Sequence, residues 1–365
     1  MGNTYFFTGF PGFIARALLK ELSAEDYTID HIYLLVQPQM AETARQEIAS
    51  LARSTTLAED SFTIIEGDIT KPNLDMDEGL LPELQSSITH VFHLAAVYDL
   101  AVPKKIAYNV NVNGTKRVND WVLTLDNIDR YVYFSTAFVS GDREGRILES
   151  ELEMGQSFKN HYESTKYEAE LLVRGIMERV PTTVIRPGIV KGHSRTGETI
   201  KFDGPYFILN LLDAMKFSPI IPYFGSGDAF GNFVPVDYII EAVIYLAHQE
   251  KGAGKTYHLT DPNPFKVKDV YRLLMKESLG KKPTGTIPLP LAAALLRVKP
   301  VRKWLKVERE AMDYFACKSF YDSSQALADL KDSGIKVPSF ASQVGPMVSF
   351  YLENKSDRSK HVAIR

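Results

Sequence analysis

The chain reads as an α/β protein, a doubly wound parallel-sheet Rossmann domain with a smaller C-terminal substrate lobe. Three observations predict this fold. Short apolar runs alternate with helical segments through the first half, as in successive β–α units. The runs are almost uninterrupted by polar residues, which suits strands covered on both faces. The first run also opens into a glycine turn followed at once by a helical pattern.

Tyr5-Phe6-Phe7 is the first strand, and the helix after it places Ile14, Leu18, Leu19 and Leu22 on one face. Residues 31–36, 62–65, 90–94, 131–134 and 182–185 are the next five strands, with helices expected over 41–53, 110–123 and 162–180. Past Pro187 the texture changes, and glycine, proline and aromatic residues crowd 192–231. Residues 234–237 then open a helix over 238–248, and 256–259 reads as one more strand. The expected division is therefore a dinucleotide-binding domain over 1–187 and 231–260, and a substrate-binding lobe over 188–230 and 261–365. That lobe would cover the carboxyl ends of the strands, where open α/β sheets bind ligands.

Composition bounds the partners. With 45% hydrophobic residues, 24% charged residues and a net charge of -3, the 365-residue chain lacks the excess of Lys and Arg that tracks nucleic-acid phosphates. No nucleic-acid partner is expected. Cys317 is the single cysteine, so no disulfide can form within the chain. It reads as buried filler in a protein of the reducing cytoplasm. The glycine turn arrives by residue 9, too early for a preceding signal peptide. Phe6 stands where a myristoylation signal wants Ser or Thr. The longest uncharged apolar stretch, near 287–296, is short and broken by Pro288 and Pro290, so no transmembrane segment is expected. The eight histidines show no metal-ligand spacing, and no metal is expected.

Thr8-Gly9-Phe10-Pro11-Gly12-Phe13-Ile14-Ala15 has the spacing G-x-x-G-x-x-A. Gly9 permits a tight turn, Gly12 admits a phosphate against backbone, and the helix N–H groups face that phosphate. Ala15 lets the helix sit close to the sheet. The residue after the second strand commonly chooses the cofactor: an acid suits a ribose 2′-hydroxyl and an arginine a 2′-phosphate. Here it is Gln37, which does neither, while Arg45 in the next helix either reaches a phosphate or is simply solvated. With no acid to repel a 2′-phosphate, NADP(H) is favoured over NAD(H). Asp68, followed by Ile69, is placed to accept from an adenine amino group or to cap the next helix. Leu94-Ala95-Ala96 ends the fourth strand with side chains small enough for a cofactor to lie along the backbone.

Tyr162 and Lys166 stand four residues apart on one helical face. A neighbouring ammonium favours phenolate over phenol, and in the reducing direction the phenol gives its proton to a carbonyl oxygen. Ser135-Thr136 closes the fifth strand, where a hydroxyl can donate to a developing oxyanion or merely close the turn.

Together these segments resemble the extended short-chain dehydrogenase/reductases. The turn is similar to their T-G-x-x-G-x-x-G/A, Asn111-Val112-Asn113-Gly114-Thr115 to their N-V-x-G-T helix, and Tyr162 with Lys166 to Y-x-x-x-K. The resemblance spans most of 4–270, with Phe320-Tyr321-Asp322-Ser323-Ser324 similar to a later F-D-x-S segment. It implies that Thr136 is the catalytic hydroxyl, with Ser135 second. It gives Asn111 a supporting part or a structural one linking helix to sheet. Arg186-Pro187-Gly188-Ile189-Val190-Lys191-Gly192-His193-Ser194-Arg195-Thr196-Gly197-Glu198 resembles one branch, the fatty acyl-CoA reductases and carrier-protein thioester reductase domains, as does Ser135-Thr136-Ala137-Phe138-Val139. Pro187, Gly188 and Ile189 are then expected at the cofactor. Gln37 departs from the branch's usual Arg, and His193 from its Asp.

The resemblance implies NAD(P)H-dependent reduction of a carbonyl, foremost an acyl thioester on CoA or a carrier protein, or an aldehyde, with no acyl-cysteine required. Any acyl group is expected to arrive on a separate molecule. It also implies a homodimer through the helices of Asn111 and Tyr162. A ketone or alcohol dehydrogenase on sterol-like or flavanol-like substrates, or a nucleotide-sugar epimerase, would use the same residues. A dinucleotide sensor without chemistry ranks last, because both Tyr162 and Lys166 are present. In the lobe, Pro205-Tyr206-Phe207-Ile208-Leu209 and Ile220-Ile221-Pro222-Tyr223-Phe224 either line an acyl tunnel or fill a core. Residues 289–307 mix leucines with Arg297, Lys299, Arg302, Lys303 and Lys306. An anionic membrane, a carrier protein or CoA phosphates would all suit them, and an ordinary helical pair with a solvated basic side is the reading taken.

Overall fold

Uninterrupted apolar strands must be covered on both faces, and the chain achieves this by laying them side by side with helices above and below. The computed structural model describes residues 2–98, 102–308, 314 and 316–362. In chain order the strands are β1 (Asn3–Thr8), β2 (Ile29–Val36), β3 (Phe62–Glu66), β4 (His90–His93), β5 (Arg130–Phe134), β6 (Gly145–Ile147), β7 (Thr182–Pro187), β8 (Ile189–Lys191), β9 (Tyr223–Phe224), β10 (Phe233–Pro235), β11 (Lys255–Leu259), β12 (Thr286–Ile287) and β13 (Ser319–Tyr321). Seven of them form one sheet in the order β11-β7-β5-β4-β1-β2-β3. Every pairing in it is parallel. The order reverses between β1 and β4, and the crevice at the carboxyl ends of those two strands is the topological switch point.

One face of the sheet is covered by the helices Phe13–Leu22, Ala41–Ser54 and Val236–His248. The other is covered by Leu81–Ser87, Thr115–Val122 and His161–Arg174. The helix expected over 110–123 is three pieces: a short turn Lys104–Ala107, a π-helical stretch Tyr108–Gly114, and Thr115–Val122. The helix expected over 162–180 ends at Arg174. It begins sharply, because Asn160 caps the N–H of Glu163 at 2.9 Å while Glu163 accepts from the N–H of Lys159 at 3.1 Å.

The second lobe has its own core. The helices Tyr206–Ala214, Val267–Leu279 and Phe340–Asn354 pack their apolar faces together over Phe233 and Tyr223. Tyr206, Phe207, Ile208, Leu209, Ile221 and Tyr223 are buried in these packed layers, whereas Ile220 is exposed. Core filling therefore accounts for most of the two segments weighed as tunnel walls. Part of 261–365 returns to the first domain: β13 pairs with β6, and Ala326 and Leu330 join the core under Val236–His248. Asp329 fixes this return by accepting from Lys255 and Tyr257, both at 2.6 Å.

Candidate active site

The turn after β1 is shaped by what surrounds it. Gly9 has φ +89, and a Cβ there would meet the backbone N of Ala95 at 2.8 Å. The first turn thus rests directly on Leu94–Ala95, and any side chain would push the two apart. A Cβ on Gly12 would meet the Gly9 carbonyl at 2.6 Å, the same oxygen that accepts the Gly12 N–H at 2.8 Å. Gly12 is therefore needed to close the turn on itself, a reason additional to phosphate approach. Thr8 is fully buried; its hydroxyl bonds His93 Nδ1 at 2.7 Å and accepts the Ala95 N–H at 3.2 Å. Phe10 and Ala15 lie in the core, with Phe13 and Ile14 packed against it.

The helix Phe13–Leu22 has no side-chain cap at Gly12 and no acid in its first turn. Its leading N–H groups therefore carry no partner from the chain's own caps, and the positive end of the helix dipole is left to an anion. This donor set fits a dinucleotide pyrophosphate. Around it, Leu94, Ala95 and Ala96 remain partly exposed. Asp68 accepts from both the N–H and the hydroxyl of Thr70 through Oδ1, each at 2.8 Å, which closes a turn; the next helical piece, Pro72–Asp75, follows Lys71 and has no side-chain cap. Ile69 is buried against Gly114. Gln37 is exposed and accepts from Gln39 at 2.9 Å; Arg45 is exposed and paired with Glu42 at 3.3 Å. Arg16, one residue past Ala15, escaped notice in the sequence: its Nη1 meets Glu47 at 2.6 Å and its Nε is buried without a partner. A basic residue on the first turn of this helix was the available signal. Pro187, Gly188 and Ile189 run from β7 into β8, with the Gly188 N–H bonded to Leu259 and the Ile189 N–H to Asn232.

Thr136 and Tyr162 come together. Thr136 follows β5, accepts the Phe138 N–H at 3.3 Å, and lies close enough to the Tyr162 phenol to pull its proton equilibrium down. Burial pushes the phenol up to about 12, against the opposing pull of the Thr136 side chain. Lys166 lies one turn below, buried, with its Nζ donating to the Phe134 carbonyl and standing 4.4 Å over the Tyr133 ring. Desolvation lowers its pKa to about 7, with Glu170 opposing. Burial, and not Lys166, dominates the shift of the phenol. Tyr98, exposed, stands near Tyr162, and Lys201 from the second lobe lies 5.0 Å over its ring.

Ser135 points elsewhere. Its hydroxyl donates to Glu170 at 2.5 Å, in a buried cluster where Arg186 grips both oxygens of Glu170 at 2.6 to 3.1 Å and Arg174 adds a bond at 3.1 Å. Burial works to raise the Glu170 carboxyl, and the two guanidiniums with Ser135 outweigh it and hold it below the usual carboxylate range. Asn111 accepts the Val97 N–H at 2.8 Å, donates to the Val97 carbonyl at 3.1 Å and to Thr165 at 3.0 Å, joining the π-helical stretch to the loop after β4 and to the helix of Tyr162. His93 carries no sequence signal in its apolar strand. It ties Thr8 to Thr115 at 2.7 and 3.1 Å, and burial lowers its pKa to about 3, so it stays neutral. His193 approaches Asp237 at 4.0 Å, and Asp237 also accepts the Ser194 N–H at 2.9 Å.

An all-parallel sheet, a capless glycine turn at its switch point and a Tyr–Lys helix beside it define the class, NAD(P)-dependent oxidoreductases of the extended short-chain dehydrogenase/reductase type. The NAD-binding model described as "Male sterility protein" matches residues 7–243, and the chain belongs to that family. Over 361 residues it is 26% identical to the non-canonical nonribosomal peptide synthetase cpsA of Aspergillus campestris, covering 90% of this chain and 34% of that protein. It is 22% identical over 309 residues to the putative fatty acyl-CoA reductase CG8306 of Drosophila melanogaster, covering 71% and 59%. The crystal structure of the terminal R domain from the myxalamid PKS-NRPS biosynthetic pathway superposes with a TM-score of 0.81 at 25% identity, over 98% of this chain and 92% of that one. The chain thus spans only part of these two curated relatives. Among its described helices none is long and apolar enough to cross a membrane.

Proposed function

We propose that the protein reduces an acyl thioester, carried on CoA or on a carrier protein, to the aldehyde and free thiol at the expense of NAD(P)H. The single observation that carries this reading is the juxtaposition of two hydroxyls, Thr136 at the carboxyl end of β5 and the protonated Tyr162 phenol. A nicotinamide bound in the crevice supplies hydride to the carbonyl carbon. Thr136 donates to the carbonyl oxygen and holds it, and Tyr162 delivers the proton that neutralises the charge developing there. Lys166, one turn away, compensates the phenolate left behind. The resulting hemithioacetal collapses by breaking its C–S bond. Its hydroxyl proton ends on the departing sulfur, giving aldehyde and thiol, and solvent reprotonates Tyr162. No step needs a protein thiol, and Cys317, buried and bonded to Ser319 at 3.3 Å, takes no part.

NADP(H) is the preferred cofactor in this reading. The supporting residues are Gln37, which offers no acid to repel a 2′-phosphate, and Arg16, whose unpaired Nε lies on the first turn of the pyrophosphate helix. Following NADPH and NADH consumption in parallel with an acyl-CoA, a fatty aldehyde and a simple ketone tests the proposal. Thioester-dependent consumption with one thiol released per acyl group supports it; turnover of ketones alone refutes it.

A further inference from the structure

In the second lobe, residues 281–307 carry seven lysines and arginines and no acid, in a chain whose net charge is -3. Two short helices fill its second half, Leu289–Leu295 and Lys299–Leu305. Their inner faces are accounted for: Ala292, Leu296, Leu305 and Val307 pack on Phe207, Leu211, Ala214 and Met215. Arg302 closes the turn between them by donating to the Leu296 and Arg297 carbonyls at 2.8 and 3.1 Å.

Their outer faces are not those of a solvated basic pair. Leu291 and Leu295, one turn apart, are about half exposed, as is Val298, and Trp304 is 60% exposed. Just past the end of Tyr206–Ala214, the helix on which they pack, Phe217 stands 91% exposed, and Ile220 is exposed as well. This corner is stitched to the same segment: Lys281 donates to the Lys216 carbonyl at 2.8 Å, and β9 pairs with β12 directly before the first of the two helices. Aliphatic and aromatic tips project outward among Lys282, Arg297, Lys299 and Lys303. Asp213, on the helix beneath, is already held by Lys216 at 3.2 Å and Lys355 at 2.7 Å.

We infer that this face is a peripheral membrane-binding surface, which settles on anionic phospholipid by sinking Trp304, Phe217 and the leucines among the acyl chains while the cations meet headgroup phosphates. Tryptophan and leucine tips ringed by lysine and arginine are the chemistry of the bilayer interface. The tips are largely exposed, and a deformable lipid surface accommodates such side chains without a complementary mould. The assignment is independent of the catalytic reading above.

The chain's two tryptophans supply the test, because Trp121 is only 5% exposed and Trp304 faces out. The full chain is mixed with phosphatidylcholine vesicles, with and without phosphatidylserine. Sedimentation with the phosphatidylserine vesicles, weakened by salt, together with a blue shift of tryptophan emission that Trp304→Phe removes, is the expected result. The double variant Arg297→Glu, Lys303→Glu should bind at least about tenfold more weakly, with circular dichroism and reductase turnover unchanged. Failure to sediment with anionic vesicles overturns the assignment, as does sedimentation without a shift at Trp304 or equal binding by the double variant. A saturable complex with an acidic carrier protein through the same residues, in protein that ignores vesicles, would make this a protein-docking face instead.

Discussion

Tyr162 and Lys166 share a helix face, yet burial moves their proton equilibria in opposite directions, the phenol to about 12 and the amine to about 7. The proton donor is therefore loaded at every physiological pH, and the titrating group is the lysine. Reductive turnover should fall as pH rises through about 7, where Lys166 loses the charge that compensates the phenolate. Lys166→Arg, cationic throughout, should remove that inflection from the pH–rate profile. The same depressed pKa acts on stability. Between about 7 and the ordinary 10.5 of lysine the unfolded chain binds the extra proton, so stability climbs with pH across that window, and Lys166→Met should flatten the climb in denaturant melts. Arg16 bears on cofactor choice: Arg16→Ala should lower kcat/KM with NADPH by about tenfold or more and leave NADH nearly untouched, as expected for loss of one charge-assisted bond to the 2′-phosphate that NADH lacks.

β5, β7 and the helix His161–Arg174 are held in register by the Glu170–Arg186 pair, both fully buried. Glu170→Gln would strand the Arg186 charge in the interior and should cost about 3–5 kcal/mol in urea unfolding. Ser135→Ala removes only a donor to Glu170 and should cost about 1 kcal/mol with turnover retained, whereas Thr136→Ala should cost turnover. The strands were readable from residue order because two-sided burial writes itself as continuous apolar runs. The break of 104–122 into α, π and α pieces was not, since its apolar periodicity survives a one-residue insertion. Nor could sequence pair Glu170 with Arg186, or set Ser135 apart from Thr136. Those follow from strand alternation and from a neighbour 16 positions along the chain.

For the molecule as a whole, parallel topology brings the β1 turn, the ends of β4 and β5 and the Tyr162 helix to one crevice, while β13 and Ser324–Leu330 return to brace the sheet's β11 edge. The glycine turn, Tyr162 and Lys166 were legible because their spacing is local. The boundary of the second lobe was not, because 319–330 rejoins the first domain through contacts distant in sequence. The most direct measurement is turnover of an acyl-CoA by wild type and Tyr162→Phe, recording NADPH absorbance and thiol release together, with NADPH binding measured separately on each protein. The account predicts that Tyr162→Phe loses about 10²–10⁴-fold in turnover and binds NADPH as before. Undiminished thiol release from Tyr162→Phe would contradict it.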